Sequence, residues 1–250
     1  VLMGIPTLKL RGDYLAIVTI SAAEILRFTG RLAALEDFSG AAQGIPGSGY
    51  RQPFVDLSFL PGTGTYDFLG ILELQWTGVN GWWVRLVAWT LVLICTGIVA
   101  LLVLSPWGRL LRGIREDEDA IRSLGKNVFA VKMQALIIGG LFGSLGGMIY
   151  ILPGSMQPDA MGRNLTFFAW TALLLGGAAT VFGPVLGSIL FFSLRILIQG
   201  TADAVVPNTV MNTAQTQQFA WICVGAALMC LVIFRPQGIL GNKKELRFNV

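Results

Sequence analysis

Three long stretches without a charged residue constrain this chain more than any other feature. Leu86 to Leu104 runs for 19 residues, Met133 to Leu152 for 20 and Leu165 to Leu194 for 30. A bilayer hydrocarbon core of roughly 30 Å is crossed by about 20 helical residues, so each run is long enough to span it. Phe219 to Phe234 adds a shorter fourth run, whereas Tyr14 to Phe28 is short and interrupted by Glu24. A soluble domain seldom supplies even one such run. With 54% of the 250 residues hydrophobic and 13% charged, the chain reads as an all-α polytopic membrane protein, a bundle of transmembrane helices.

Lys and Arg then set the orientation. The stretch 105–127 holds Arg109, Arg112, Arg115, Arg122 and Lys126, and the tail 235–250 holds Arg235, Lys243, Lys244 and Arg247. The connections 52–84 and 196–218 contain neither residue type. The positive-inside rule makes the first pair cytoplasmic and the second pair external. Parity then demands two passes between residues 165 and 199, because a single pass would leave the basic tail outside. Gly176-Gly177-Ala-Ala-Thr180-Val-Phe-Gly183-Pro184-Val-Leu-Gly187 supplies the break, since proline lacks a donor and clashes inside a helix. Each half is about 16 residues, or roughly 24 Å, which is short for a span. The expectation is a short broken or re-entrant helix pair meeting at a glycine-lined turn. That turn either borders a translocation path or packs closely through its small residues.

The stretch 105–127 reads as one helix with defined ends. Ser105 can cap it, Pro106 suits its first position, and Gly125 suits a left-handed terminal residue. Trp107, Leu110, Leu111, Ile114, Ile121 and Leu124 recur at helical spacing. Arg112 with Glu116, Arg115 with Asp119, and Glu118 with Arg122 are four residues apart on the other side. Mixed charge of this kind fixes register on a protein partner better than it clings to anionic lipid. A solvated linker with snorkelling arginines is the plainer alternative.

Other features exclude classes. There is no Gly-x-x-x-x-Gly-Lys-Ser/Thr phosphate loop, so ATP hydrolysis belongs to another chain. The chain has no histidine, and Cys95, Cys223 and Cys230 lie in apolar runs without metal-ligand spacing, where they act as small packing residues. No nucleophile, base or metal cluster suggests an enzyme. Glu24 is the one carboxylate in an apolar stretch, and it serves either as a partner of Arg27 or as a group near the path. The external stretch 52–83 carries Trp76, Trp82 and Trp83, suited to an interfacial belt before the next span.

Four motifs now carry a resemblance. They are Lys9-Leu-Arg-Gly-Asp-Tyr-Leu-Ala-Ile-Val-Thr19 with Glu24-Ile25, Gly108-Arg-Leu-Leu-Arg-Gly-Ile-Arg-Glu-Asp-Glu118 with Ser123-Leu-Gly-Lys-Asn127, Gly176-Gly177 with Gly183-Pro184-Val-Leu-Gly187, and Arg235-Pro-Gln-Gly-Ile-Leu-Gly241. In this order the chain resembles the permease subunits of branched-chain amino acid ABC importers, the LivM-like kind. The resemblance implies a multi-pass subunit of the bacterial plasma membrane, embedded in lipid, that translocates branched-chain or other hydrophobic amino acids. It implies a second permease as heterodimer partner, two cytoplasmic ATP-binding subunits and an extracytoplasmic binding protein, with no nucleic acid. ATP and Mg would sit on the partner subunits, and this chain would bind no cofactor and no metal. Arg112, Arg115, Glu116, Asp117, Glu118, Arg122 and Gly125 become the expected contact with an ATP-binding subunit. Thr19, Glu24, Gly176, Gly177, Thr180 and Gly183 are the candidates for the path.

The resemblance makes 1–250 a single permease domain short of N-terminal helices, with 105–127 as its cytoplasmic coupling segment, 52–83 as its external loop and 235–250 as its cytoplasmic tail. The chain departs from the family pattern at Ser21-Ala22-Ala23, at Thr29-Gly30-Arg31-Leu32 and at Ala179. Cargo therefore stays open to urea-like amides or other amino acids. A self-sufficient secondary transporter is the competing class, for which an inverted repeat and intramembrane ion-binding residues would be expected.

Overall fold

The computed structural model describes residues 4–8, 13–59, 65–68, 72–75, 81–178, 180–205, 212–234 and 237–241. The expectations placed on residues 9–12, Trp76, Ala179, Arg235, Lys243, Lys244 and Arg247 lie outside the described residues. The chain divides into two compact units, residues 1–163 and 164–250.

The first unit begins with α1 (Gly4–Thr7) and α2 (Asp13–Gly30), followed by the short helices α3 (Glu36–Ser39) and α4 (Gln52–Asp56). The uncharged runs then fold as expected into α5 (Trp82–Leu104) and α8 (Val128–Ile151), separated by α6 (Pro106–Glu116) and α7 (Glu118–Ser123). Both α5 and α8 are long and apolar enough to cross a membrane. Val84 is the one buried residue of α5, while Trp89, Leu93, Ile94, Leu101 and Leu104 are more than half exposed. Apolar surface on that scale needs lipid or another subunit to cover it.

Part of the stretch 52–83 has structure of its own. Strands β1 (Thr65–Phe68) and β2 (Leu72–Gln75) pair antiparallel, with Thr65 opposite Gln75 and Phe68 opposite Leu72. The hairpin is a small addition to a fold whose other regular elements among the described residues are all helical, and alternating polar and apolar residues in both strands are its sequence signal. Trp83 at the start of α5 donates from Nε1 to the Phe54 carbonyl at 3.0 Å and lies edge-on to Phe59 at 5.4 Å. The far end of α8 is closed by the segment after α3. Tyr50 donates its hydroxyl to the Ile151 carbonyl at 2.7 Å, and Arg51 donates from Nε to Leu152 at 2.8 Å. These bonds satisfy carbonyls that a helix C-terminus leaves orphaned.

The second unit holds α9 (Arg163–Gly176), α10 (Gly183–Val205) and α11 (Thr213–Phe234). The break in the 30-residue run falls where the glycines and Pro184 place it, with one helix on either side. The equal halves expected from the sequence are not found. α9 has 14 residues, while α10 has 23 and is long enough to span. The apolar phase of α10 continues past Leu194 through Arg195 to Val205, so a count that stops at the first charge undervalues its length. Phe168 meets Phe191 at 6.0 Å, and Gly187 lies against the Ala172 carbonyl, which defines an antiparallel helical hairpin. α11 closes the unit through a core of Ala172, Phe191 and Val224, with Phe168, Leu175, Ile198 and Trp221 packed around it.

Candidate functional site

The charged segment is built from two helices. Ser105 accepts from the Gly108 amide at 3.4 Å and Pro106 occupies the first turn of α6, as the sequence indicated. The expected single helix ends at Glu116. Asp117 takes an extended backbone, φ −150° and ψ 104°, and its carboxylate accepts from the amides of Asp119 and Ala120, both at 2.9 Å. An aspartate bonded to those first-turn amides, followed by Glu118 and Asp119, makes a well-capped new helix start. Gly125 ends α7 in the left-handed region, φ +74°, as expected.

The apolar stripe is buried inside the chain itself. Trp107, Leu110, Leu111 and Ile121 pack around Ile114, Val128 and Val131, and Trp107 Nε1 donates to Gln134 at 3.0 Å. Leu124 departs from the expected stripe and is 72% exposed, because the turn at Gly125 carries it away from α8. Of the expected ion pairs, Arg122 and Glu118 meet at 2.6 Å. Arg115 and Asp119 do not meet, since the break at Asp117 puts them on different helices. Arg112 donates to the Val103 carbonyl at 3.0 Å at the end of α5 rather than to Glu116. Glu118 also binds Lys132 of α8 at 2.5 Å. Arg115, Glu116, Asp117, Arg122 and Gly125 therefore form the exposed side of the segment, whereas Arg112 and Glu118 tie it to α5 and α8.

The path candidates fall into two groups. Thr19, exposed on α2, bonds back to the Leu15 and Ala16 carbonyls at 2.9 and 3.0 Å. Glu24 accepts from Arg27 at 2.7 Å and lies 3.3 Å from Arg163. Arg27 in turn pairs with Asp159, which Arg31 approaches to 3.5 Å. Glu24 thus belongs to an ion network that fastens α2 to the loop after α8, which is the structural-partner alternative.

Gly176, Gly177, Thr180 and Gly183 meet in the turn between α9 and α10. A methyl group at Gly176 would overlap the Gly183 carbonyl, and one at Gly183 would overlap the Gly177 carbonyl. Thr180 donates to the Gly177 carbonyl at 3.0 Å. The segment after α11 docks onto the same turn. Ile239 and Leu240 donate their amides to Leu175 and Gly176 at 3.0 and 2.9 Å. Gly177, at φ +116°, lies beside Gly241, and Gly238, at φ +74°, beside Gly177. Two of the four sequence motifs are therefore one structural joint, a contact between residues too far apart for any local pattern to report.

One charged residue escaped the sequence reading because it terminates the uncharged run. Arg195 lies within α10, and Phe191, Arg195, Ile198 and Ala202 share the helix face that packs on α11. Its guanidinium carbon sits 4.8 Å over the Trp221 ring, and its Nε is buried without a hydrogen bond. The i, i+4, i+7, i+11 spacing of that face was the available signal.

The three long apolar helices and the embedded charges define a multi-pass membrane protein of the permease class. The model of the family "Branched-chain amino acid transport system / permease component" matches residues 1–232, so the chain belongs to that family. It is 29% identical over 245 residues to the high-affinity branched-chain amino acid transport system permease protein LivM of Escherichia coli, covering 96% of this chain and 53% of the relative. It is 25% identical over 247 residues to the probable branched-chain amino acid transport permease protein LivM of Methanocaldococcus jannaschii, covering 96% and 63%. A shorter match, 26% over 116 residues, joins it to the autoinducer 2 import system permease protein LsrC of Photorhabdus laumondii, covering 44% and 34%. The chain spans about half the length of the first of these relatives. No solved structure matches it.

Proposed function

We propose that this chain is the permease subunit of an ABC importer that carries branched-chain or other hydrophobic amino acids across the bacterial plasma membrane. It would work beside a second permease, with two cytoplasmic ATP-binding subunits that hold ATP and Mg and an extracytoplasmic binding protein that delivers cargo. The stretch 105–127 and the tail face the cytoplasm in this reading, and the α9–α10 turn lies on the tail's side because residues 239–240 bond to it. The observation that carries the proposal is the two-sided segment α6–α7. Its apolar side is locked to α8 and its Arg112 to the end of α5, while Arg115, Glu116, Asp117 and Arg122 face outward. A push from a soluble partner on the outer side reaches two spans without slack, which is what alternating access needs. The match over 96% of the chain to branched-chain amino acid permeases supports that cargo class over the autoinducer class, whose relative matches 44%. Urea-like amides and other amino acids are the remaining alternatives for cargo. A secondary transporter is disfavoured because α5, α8, α9 and α11 contain no acidic residue to couple an ion, and the one in α10, Asp203, lies in its last turn.

Charge reversal tests the segment. Arg115→Glu combined with Glu116→Arg should abolish uptake of labelled leucine and uncouple cargo-stimulated ATP hydrolysis, while membrane insertion is unchanged. Wild-type uptake by that variant would contradict the coupling role.

A further inference from the structure

A guanidinium inside a membrane span is costly unless something in the span answers its charge. Arg195 stands about 18 Å along α10 from Gly183, at about 1.5 Å per residue, and so near the middle of the helix. It faces α11 rather than lipid, being on the face that carries buried Phe191 and Ala202. Trp221 stacks on Phe168 at 4.2 Å and receives the guanidinium on its own ring at 4.8 Å. A cation–π contact of this kind offsets part of the desolvation, yet it leaves the N–H edge of the guanidinium without an acceptor. Among the described residues Arg195 makes no hydrogen bond and no ion pair, and of its nitrogens only Nε is closed off from the surface. α5, α8, α9 and α11 bring no carboxylate of their own. The one carboxylate of α10, Asp203, is exposed two turns further along and makes no ion pair with Arg195, so the span holds a pre-oriented cation beside an apolar aromatic wall with no anion against it.

We propose that Arg195 is a cargo-contacting residue, binding the carboxylate of the amino acid as it crosses the membrane while Phe168 and Trp221 border its apolar side chain. This rests on the permease reading above and adds the residue that recognises the cargo's charge. A planar, two-pronged donor matches a carboxylate, and an aromatic neighbour matches a hydrophobic side chain, so the two halves of the ligand find different halves of the site. A cargo anion fits better than a permanent partner, because the face of the guanidinium is already held by Trp221 and the free edge suits an anion that comes and goes.

The test uses the complete transporter in nanodiscs, without binding protein, and measures binding of labelled leucine. The wild type should bind leucine, with 4-methylpentanoate competing and leucine methyl ester failing to compete. Arg195→Gln should weaken leucine binding at least tenfold and make leucine and its methyl ester equal competitors, and Arg195→Lys should fall between. Unchanged binding in Arg195→Gln, or a wild type with no carboxylate-dependent binding, would overturn the proposal. Loss of the second permease on purification of Arg195→Gln would also overturn it, assigning the counter-anion to that subunit. Leucine uptake in cells separates the two readings. Intact uptake by the Arg195→Gln transporter removes this inference and leaves the permease reading standing, whereas no leucine uptake by an assembled wild type removes the cargo reading as well.

Discussion

At Asp117 the backbone leaves one helix and its carboxylate starts the next, so a single side chain sets the bend of the charged segment. Removing such a cap costs about 1 kcal/mol. Asp117→Ala should therefore speed hydrogen exchange at the Asp119 and Ala120 amides by about fivefold, and Asp117→Asn should largely preserve protection. Equal exchange in all three proteins would show that the break is held by something else. The ends of this segment were legible because Ser105, Pro106 and Gly125 each act locally. The break was hidden because Ile114 and Ile121, two turns apart, keep the apolar phase running across it. Arg195 was hidden for a different reason: counting uncharged residues treats a charge as a boundary, although this one continues the packed face of its helix.

The joint formed by the end of α9, the start of α10 and residues 237–241 is backbone against backbone. Gly187 meets the Ala172 carbonyl and the Gly176 amide, so a methyl group there forces the two helices apart. Overpacking of this kind costs about 1–3 kcal/mol. Gly187→Ala should lower the thermal midpoint of the purified transporter by several degrees. Gly200→Ala, on the same helix but with open space around it, should leave the midpoint unchanged or raise it slightly. Equal midpoints for the two variants would remove the close-packed joint. The sequence placed the break correctly through Pro184 and its glycines, and the packing alternative offered for this turn is the one its geometry favours. The docking of residues 237–241 was beyond it, since a backbone amide reaching a carbonyl on another helix leaves no periodicity to read.

For the molecule as a whole, the apolar runs decided the fold class, because a helix without charges over 19 residues has few other solvents. Function was legible less directly: the two-faced charged segment left a docking surface and a solvated linker both open, and it was the resemblance carried by the four motifs that implied an importer permease. The structure adds that the inner face of this segment is already occupied by α8 and that its outer face is free. The coupling role therefore requires a partner on the outer face. The most direct measurement is a mild-detergent purification of the full-length chain from its native membrane, with every co-purifying protein identified. Two ATP-binding subunits and a second permease are the predicted result, and charge reversal at Arg115 and Glu116 should release the ATP-binding subunits while keeping the permease pair. A wild-type chain that purifies alone or only with copies of itself would contradict the account.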